Sequence, residues 1–473
     1  MTSPIESVQP PTHPPMCSTV PVLGELPVLL TQRLDRLERL QQQHGDIFTL
    51  NLGFTKVTVL CHPRHAQHVL RDHARIYSKA NPLWDAIRGL IGNGLPTSEG
   101  DFWLRQRRMM QPHFHRERLT AMVRLMIHAI DEELVSWEQY ERSGRPIDLF
   151  REMTVITMRV IVRTMFGSQL GQQTADMVGK EMGFALDYMM LGMLTQKLPK
   201  WFPVPGRKRF TEAVQRIDRA LFDIIDQRKR DPNREGGELL SMMLDAVDTE
   251  TQQRMTAQEL RDEAVALFLA GYETTSSALS FAFDHLRTQP QSMKKLEQEI
   301  LSVLQGREPE MSDLRRLPYT LAVIQEALRL HGPVFWIPRT AEQDDVIDGY
   351  RIPKGQEVAI MVHTIHRHPQ QWSRPHTFDP ERFSPDLVAT RHPLAWIPFG
   401  AGQRICIGKE FALMEGQLIL ARILSRYEVI ASGSHPVSAH IGTTLRPKDG
   451  VWVTLRKRTP QPSGHATAEV PPA

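Results

Sequence analysis

The sequence predicts a mainly α protein with a smaller β portion, folded as one interleaved body. Three observations predict it. Between about residues 65 and 330 the apolar residues recur at helical spacing over long runs. Short alternating runs near both ends of the chain read as strands. No interior stretch reads as a linker, although a chain of 473 residues would by length alone suggest roughly three domains of ~150 residues.

The elements follow in order. The first 25 residues hold Pro4, Pro10, Pro11, Pro14, Pro15 and Pro21, a composition that predicts a flexible N-terminal segment. Ile47, Thr49 and Asn51, then Lys56 to Leu60, alternate around Gly53 and predict a hairpin. Amphipathic runs over 115–141, 149–166, 208–230 and 257–287 predict helices, punctuated at Pro203 to Gly206 and at Gly332-Pro333. After Arg339 the texture turns to short strands over 346–352 and 358–361. A helix resumes near Lys409 and runs towards Arg422, and strands return over 427–431 and 451–455. Residues 459–473, rich in Pro, Ala and small polar residues, predict a disordered tail. One domain over 26–458 is therefore expected.

Composition is that of an ordinary globular protein, 41% hydrophobic and 23% charged, with a net charge of +3. No concentrated Lys/Arg stripe of the kind nucleic-acid binding requires is present; Arg105-Gln106-Arg107-Arg108 and Arg456-Lys457-Arg458 read as solvated faces. The early apolar runs fall short of the ~18 residues of a membrane span, and no signal-peptide pattern precedes them. Three cysteines, Cys17, Cys61 and Cys406, form no disulfide framework and suit a reducing compartment. A cytoplasmic protein is the expectation.

Residues 399–408 read FGAGQRICIG. Glycines around a cysteine let the backbone turn tightly and leave amide N–H groups free to point at the sulfur. Phe399 can cover such a loop, and Arg404 can pair with an anionic group. The five fixed positions Phe399, Gly402, Arg404, Cys406 and Gly408 would arise by chance in a chain this long on the order of once in ten thousand. The loop closely resembles the heme-binding loop of the cytochrome P-450 superfamily, pattern F-x-x-G-x-R-x-C-x-G. The resemblance implies heme b with Cys406 as its axial iron ligand and only metal ligand. A thiolate in that place pushes electron density onto iron. It also implies the single-domain fold of that superfamily, with heme between the long central helix and the cysteine loop.

Other motifs stand upstream in the order the resemblance implies, over about residues 30–458. Glu326-Ala327-Leu328-Arg329 matches an E-x-x-R helix, whose Glu and Arg share one face. Asp379-Pro380-Glu381-Arg382-Phe383 matches a P-E-R-F segment, and the resemblance implies that Arg382 joins Glu326 and Arg329 in a buried network. Ala270-Gly271-Tyr272-Glu273-Thr274-Thr275 lies mid-way along the 257–287 helix. Its glycine removes bulk where a flat macrocycle and O2 must approach. A Thr hydroxyl can hydrogen-bond there or to a carbonyl one turn back, and an adjacent carboxylate can relay protons. By resemblance Thr274 is the alcohol and Glu273 the acid of a catalytic pair. Trp103 and Arg107, four apart on a helix, resemble an element that contacts a heme propionate, as do Arg339 and Arg404. His363, His366 and His368 invite a metal hypothesis, but their i, i+3, i+5 spacing is not one face of a helix.

The resemblance implies a monooxygenase that inserts one atom of O2 into a hydrophobic organic substrate. Its electrons would come from a separate donor, a ferredoxin with its reductase or a flavodoxin, docked on a basic surface for which Lys409 and Arg108 are candidates. The implied pocket draws on Ala270, Thr274, Val334, Phe335 and Thr443, with Met189, Met190 and Met193 as a roof or as ordinary core. Such a pocket fits terpenoids, fatty acids, polyketides or steroids equally. Leu198 to Pro203, with its Trp-Phe pair, reads as ordinary packing or as an access segment. The alternatives are a heme-thiolate peroxygenase or isomerase, against which Glu273-Thr274 counts, and a non-enzymatic heme sensor, which would have no use for that pair.

Overall fold

The computed structural model describes residues 12–22, 24–53, 55–167, 171–195, 199, 201–231, 238–433 and 437–458. The expected tail 459–473 and most of the stretch 196–200 lie outside the described residues.

The organising element is the helix Ala257–Arg287. Thr256 opens it with a capping box: its hydroxyl accepts from Glu259 N, and the Glu259 carboxylate accepts from Thr256 N. It is buried nearly all round, from Leu260 to Leu286, as a helix must be when every face meets protein. Leu149–Phe166, Pro318–His331, Lys409–Arg426 and Arg207–Arg230 pack around it. Asp148 caps Leu149–Phe166 through Phe150 N, so the expected start at 149 has a local cause. The helices expected over 115–141 and 208–230 span Arg116–Ser143 and Arg207–Arg230.

Away from this bundle lies a six-stranded sheet ordered Met16–Cys17, Ile47–Asn51, Lys56–Leu60, Glu357–Ile360, Ile337–Ala341, Tyr77–Ser78. The predicted hairpin is present, with Ile47 opposite Leu60 and Asn51 opposite Lys56. Arg339 stands in the fifth strand opposite Val358, which fixes its backbone rigidly at the edge of the bundle. A second sheet joins Tyr427–Ala431, Trp452–Lys457 and Ile147–Asp148, and a short hairpin pairs Ala439–Ile441 with Leu445–Pro447.

Three features differ from the sequence expectation. Part of the Pro-rich N-terminal segment is laid on the sheet: Met16 and Cys17 pair in parallel with Thr49 and Leu50, and Cys17 is buried. Leu26–His44 and Gln172–Thr195 are helices. The latter carries Gly179, Gly183 and Gly192, each a poor helix former; Gly179 sits against the Met158 sulfur of Leu149–Phe166, which a β-carbon would have to displace. No described helix is long and apolar enough to cross a membrane.

Candidate active site

A cavity of about 450 Å³ lies between the central helix and the 398–408 loop. The loop turns on Gly400 and Gly402, both with positive φ. A β-carbon on Gly402 would fall 2.0 Å from the Leu70 carbonyl oxygen, so only glycine fits there. Cys406 N donates to Phe399 O at 2.9 Å. The Cys406 thiol opens into the cavity, and enclosure by protein raises its pKa. The Gly408 N–H aimed at the sulfur and the nearby Arg107 guanidinium act against that rise. Phe399 lines the cavity beside the sulfur and meets Trp396 edge-on at 6.0 Å.

Cations gather on one rim. Arg404 stacks over the Trp103 ring, 3.8 Å from its centroid, and donates to Ser98 O at 2.7 Å. Arg107 donates to the carbonyl of Ile405, the neighbour of the cysteine, at 2.9 Å. Trp103 and Arg107 thus each engage a different residue of the cysteine loop. Arg339 donates to its neighbour Pro338 O at 2.8 Å and lines the cavity. Lys79, which no sequence motif marks, completes the rim: its Nζ donates to Pro96 O and lies 4.7 Å from the Trp84 ring centre. Burial and mutual repulsion hold Lys79 well below the ordinary lysine range and draw Arg339 and Arg404 down to about 10, with Glu99 offsetting part of this. A desolvated cationic rim beside an apolar cavity and a thiol is the donor set that a planar macrocycle with anionic side arms needs. The residues therefore fit heme.

On the opposite wall stand Ala270, Glu273 and Thr274. The Thr274 hydroxyl donates to Ala270 O at 2.5 Å, the one-turn-back bond expected. Glu273 is buried, its pKa is raised by that burial, and it accepts from the Thr444 hydroxyl at 2.6 Å. Gly271 lines the cavity beside Ala270, as expected, and it is also close to the neighbouring helix: a β-carbon there would meet Ile161 at 2.8 Å.

Behind the loop, Arg329 and Glu326 pair with neither side chain exposed. Arg329 also donates to the carbonyls of His366, Pro375 and Thr377, and Arg382 reaches Glu326 at 3.3 Å. His366 Nε2 accepts from Ile397 N at 2.8 Å, at the entry to the loop. The three histidines do not converge: His363 meets Glu38, His366 meets Arg329 O and Ile397 N, and His368 meets Asp46. His62 lies near His368 and Asp46. His368 Nδ1 accepts from Gln370 N, so the proton sits on Nε2 and faces Asp46, leaving no lone pair for an ion.

Val334 and Thr443 line the cavity as expected, and so does Met189. Phe335 does not; its neighbour Trp336 takes that place. The Pro-rich approach to this strand leaves the register unreadable from sequence, and one residue's shift turns a side chain to the other face. Met193 is not among the lining residues, and the Met190 side chain lies outside those described. Arg108 is taken up by Asp248 in a paired contact at 2.9 and 3.2 Å, so it is no free docking charge. Lys409 meets Glu410 at 3.7 Å. Trp201 is 82% exposed and Phe202 42%, which removes the packing role for that pair.

The family model described as Cytochrome P450 matches residues 14–452. Cyclooctatin synthase of Streptomyces melanosporofaciens is 33% identical over 440 residues, covering 92% of either chain. Cyclooctat-9-en-7-ol 5-monooxygenase of the same organism is 33% identical over 448 residues, covering 94% of either chain. The crystal structure of the cytochrome P450DA heme domain superposes with a TM-score of 0.87 at 26% identity, covering 96% of this chain and 99% of that one.

Proposed function

We propose, from the premise that this chain belongs to the cytochrome P450 family, that Cys406 is the thiolate ligand of its heme b and that its substrate is a cyclic terpenoid. The family makes the protein an oxidoreductase of the monooxygenase class that uses heme b with an axial cysteine thiolate, O2, a redox partner and a hydrophobic substrate. Heme b so ligated supplies the activation of O2 from which one oxygen atom is inserted into substrate. The observation that carries the assignment is the meeting of Cys406, the cationic rim and the Glu273–Thr274 pair on one cavity.

The residues divide the work. Gly408 N–H steadies the Cys406 sulfur and moderates its donor strength. Lys79, Arg107, Arg339 and Arg404, with Trp103, hold the propionates and fix the macrocycle's rotation. Glu326, Arg329 and Arg382 hold the loop. Thr274 presents its hydroxyl to the reacting oxygen, and Glu273 passes it protons from outside. Ala270, Val334, Trp336, Thr443 and Met189 enclose the substrate and keep water from it. Relatives named for cyclooctatin and for an alkenol, cyclooctat-9-en-7-ol, support the terpenoid choice among the classes an apolar cavity admits. The electron donor is a separate ferredoxin with its reductase, or a flavodoxin, and the enzyme works in the cytoplasm.

Two measurements test this. Cys406→Ala abolishes the thiolate-type spectrum of the reduced carbon monoxide complex; survival of that spectrum overturns the ligand. A screen of apolar compounds for a substrate-induced spin-state shift gives hits among cyclic terpenoids, turned over with redox partners and NAD(P)H. Turnover with peroxide alone points instead to a peroxygenase.

A further inference from the structure

Residues 68–77 bring together ligand-bearing side chains that the heme site does not use. His68–Asp72 is a turn of π-helix: His73 N donates to His68 O, five residues back, at 2.8 Å. On an α-helix the neighbours of one face stand three or four residues apart. The wider turn instead brings His68 and His73 over one another, their rings stacked with centroids 3.9 Å apart and planes inclined by 20°. Such turns are rare and gather at functional sites. Asp345, on the strand Asp345–Ile347, faces the pair, with its Oδ2 2.7 Å from His68 Nε2. Two donors hold this carboxylate still: the Tyr77 hydroxyl reaches Oδ2 at 2.6 Å, and Val346 N reaches Oδ1 at 2.8 Å. One nitrogen of each ring and one Asp345 oxygen all lie within 4.8 Å of one another. His73 is exposed, and neither of its ring nitrogens takes a hydrogen bond among the described residues.

We propose that His68, His73 and Asp345 bind a zinc ion, with water as the fourth ligand. Two imidazoles and a carboxylate suit zinc and its late transition-metal neighbours, whereas magnesium and calcium ask for oxygen alone. Zinc held at ~2.0–2.1 Å sets tetrahedral neighbours ~3.3 Å apart. From ligand atoms already within 4.8 Å the closing movement is small, and it falls to His73, whose exposed ring is free to turn. His68 binds through Nε2 and carries its ring proton on Nδ1, so the ion takes the place of the hydrogen bond to Asp345 Oδ2. His368, beside Asp46 and His62, cannot do the same, because its Nδ1 already accepts from Gln370 N. The π turn also supports the cysteine loop. Leu70, in its middle, lines the heme cavity, and the Leu70 carbonyl oxygen is the atom that excludes a side chain at Gly402. Zinc on the outside of the turn therefore braces the seat of that loop.

The test uses the heme-loaded full chain without an affinity tag, with zinc chloride as the probe. Calorimetric titration shows one equivalent of zinc bound, and magnesium chloride gives no such binding. His73→Ala, at an exposed position, keeps the heme content and zinc-free melting temperature of the parent. It weakens zinc binding at least about tenfold, the scale on which even the hydrogen-bonding partners of metal ligands act. Asp345→Asn weakens zinc binding likewise. One equivalent of zinc raises the melting temperature of the parent and not that of His73→Ala, because a ligand of the folded chain stabilises it. Crystals soaked in zinc chloride show the anomalous peak of the metal between His68, His73 and Asp345. A parent that takes up no stoichiometric zinc overturns the proposal. So does an unchanged zinc affinity in His73→Ala, or a peak beside Asp46, His62 and His368 instead.

Discussion

Arg329 clasps Glu326 fork to fork, Nε to one carboxylate oxygen at 2.7 Å and Nη2 to the other at 2.8 Å, with both side chains fully out of solvent. The same Glu326 oxygen that receives Nη2 also accepts from Asp379 N at 2.8 Å. Removing either partner strands a charge in the interior, at a cost of about 3–5 kcal/mol. Glu326→Ala and Arg329→Ala should therefore lose heme along with stability, seen as low heme content and a lowered denaturation midpoint. Arg329→Lys fares little better, because an ammonium cannot serve the carboxylate and the carbonyls of His366, Pro375 and Thr377 together.

Most of this arrangement was legible in the sequence where chemistry and spacing are local. The cysteine loop spans ten residues, and the Glu326–Arg329 pair one helix turn. What was not legible depends on register and approach. Phe335 against Trp336 is decided by how one strand meets the cavity. Lys79 stands outside any motif and becomes part of the rim only because the strand Tyr77–Ser78 pairs with Ile337–Ala341 and brings it beside Arg339. Gly271 lines the cavity as its motif suggests, but its tight neighbour, Ile161, lies on another helix.

Ala270 and Gly271 should separate cleanly in mutagenesis. A side chain enlarged at Ala270 enters the cavity, so Ala270→Val leaves the melting temperature near that of the parent and weakens binding of the largest ligands that give a spin-state shift. A side chain at Gly271 meets Ile161, already 2.8 Å from where a β-carbon would sit. Overpacking costs about 1–3 kcal/mol, so Gly271→Val lowers the melting temperature by more than Ala270→Val does. Equal effects of the two substitutions on stability would contradict the geometry.

Lys79 carries a prediction of opposite sign in the two states of the protein. Without heme it is a buried cation whose burial and whose neighbours Arg404 and Arg339 disfavour its charge. With a propionate opposite, it makes a charge-assisted bond worth about 1.5–3 kcal/mol. Lys79→Met should therefore leave the heme-free protein as stable as the parent or more so. The loaded protein should transfer its heme to a scavenging apoprotein roughly 10–100-fold faster, at ~1.4 kcal/mol per tenfold. A heme-transfer rate equal to the parent's excludes Lys79 from the propionate site.

Glu263 makes the stability of the enzyme depend on pH. It is almost wholly buried on the central helix, one oxygen accepts from Leu95 N at 3.1 Å, and the other has no partner among the described residues. Burial, and after it the nearby Asp262 and Glu259, push its pKa up to about 8 from an ordinary 4.5. Between those values the folded protein keeps a proton that the unfolded chain has released, so stability is full below about pH 4.5 and falls as pH rises towards 8. Above 8 the folded carboxyl ionises too and the loss levels off. A tenfold difference in proton affinity between the folded and unfolded chain is worth ~1.4 kcal/mol, so the whole loss amounts to a few kcal/mol. Glu263→Gln keeps an oxygen for Leu95 N and cannot ionise. Denaturation midpoints measured across this range should decline for the parent and stay nearly level for the variant, with the two curves furthest apart at the alkaline end. Parallel curves would mean that Glu263 is already ionised in the fold, and that its second oxygen has a partner in water.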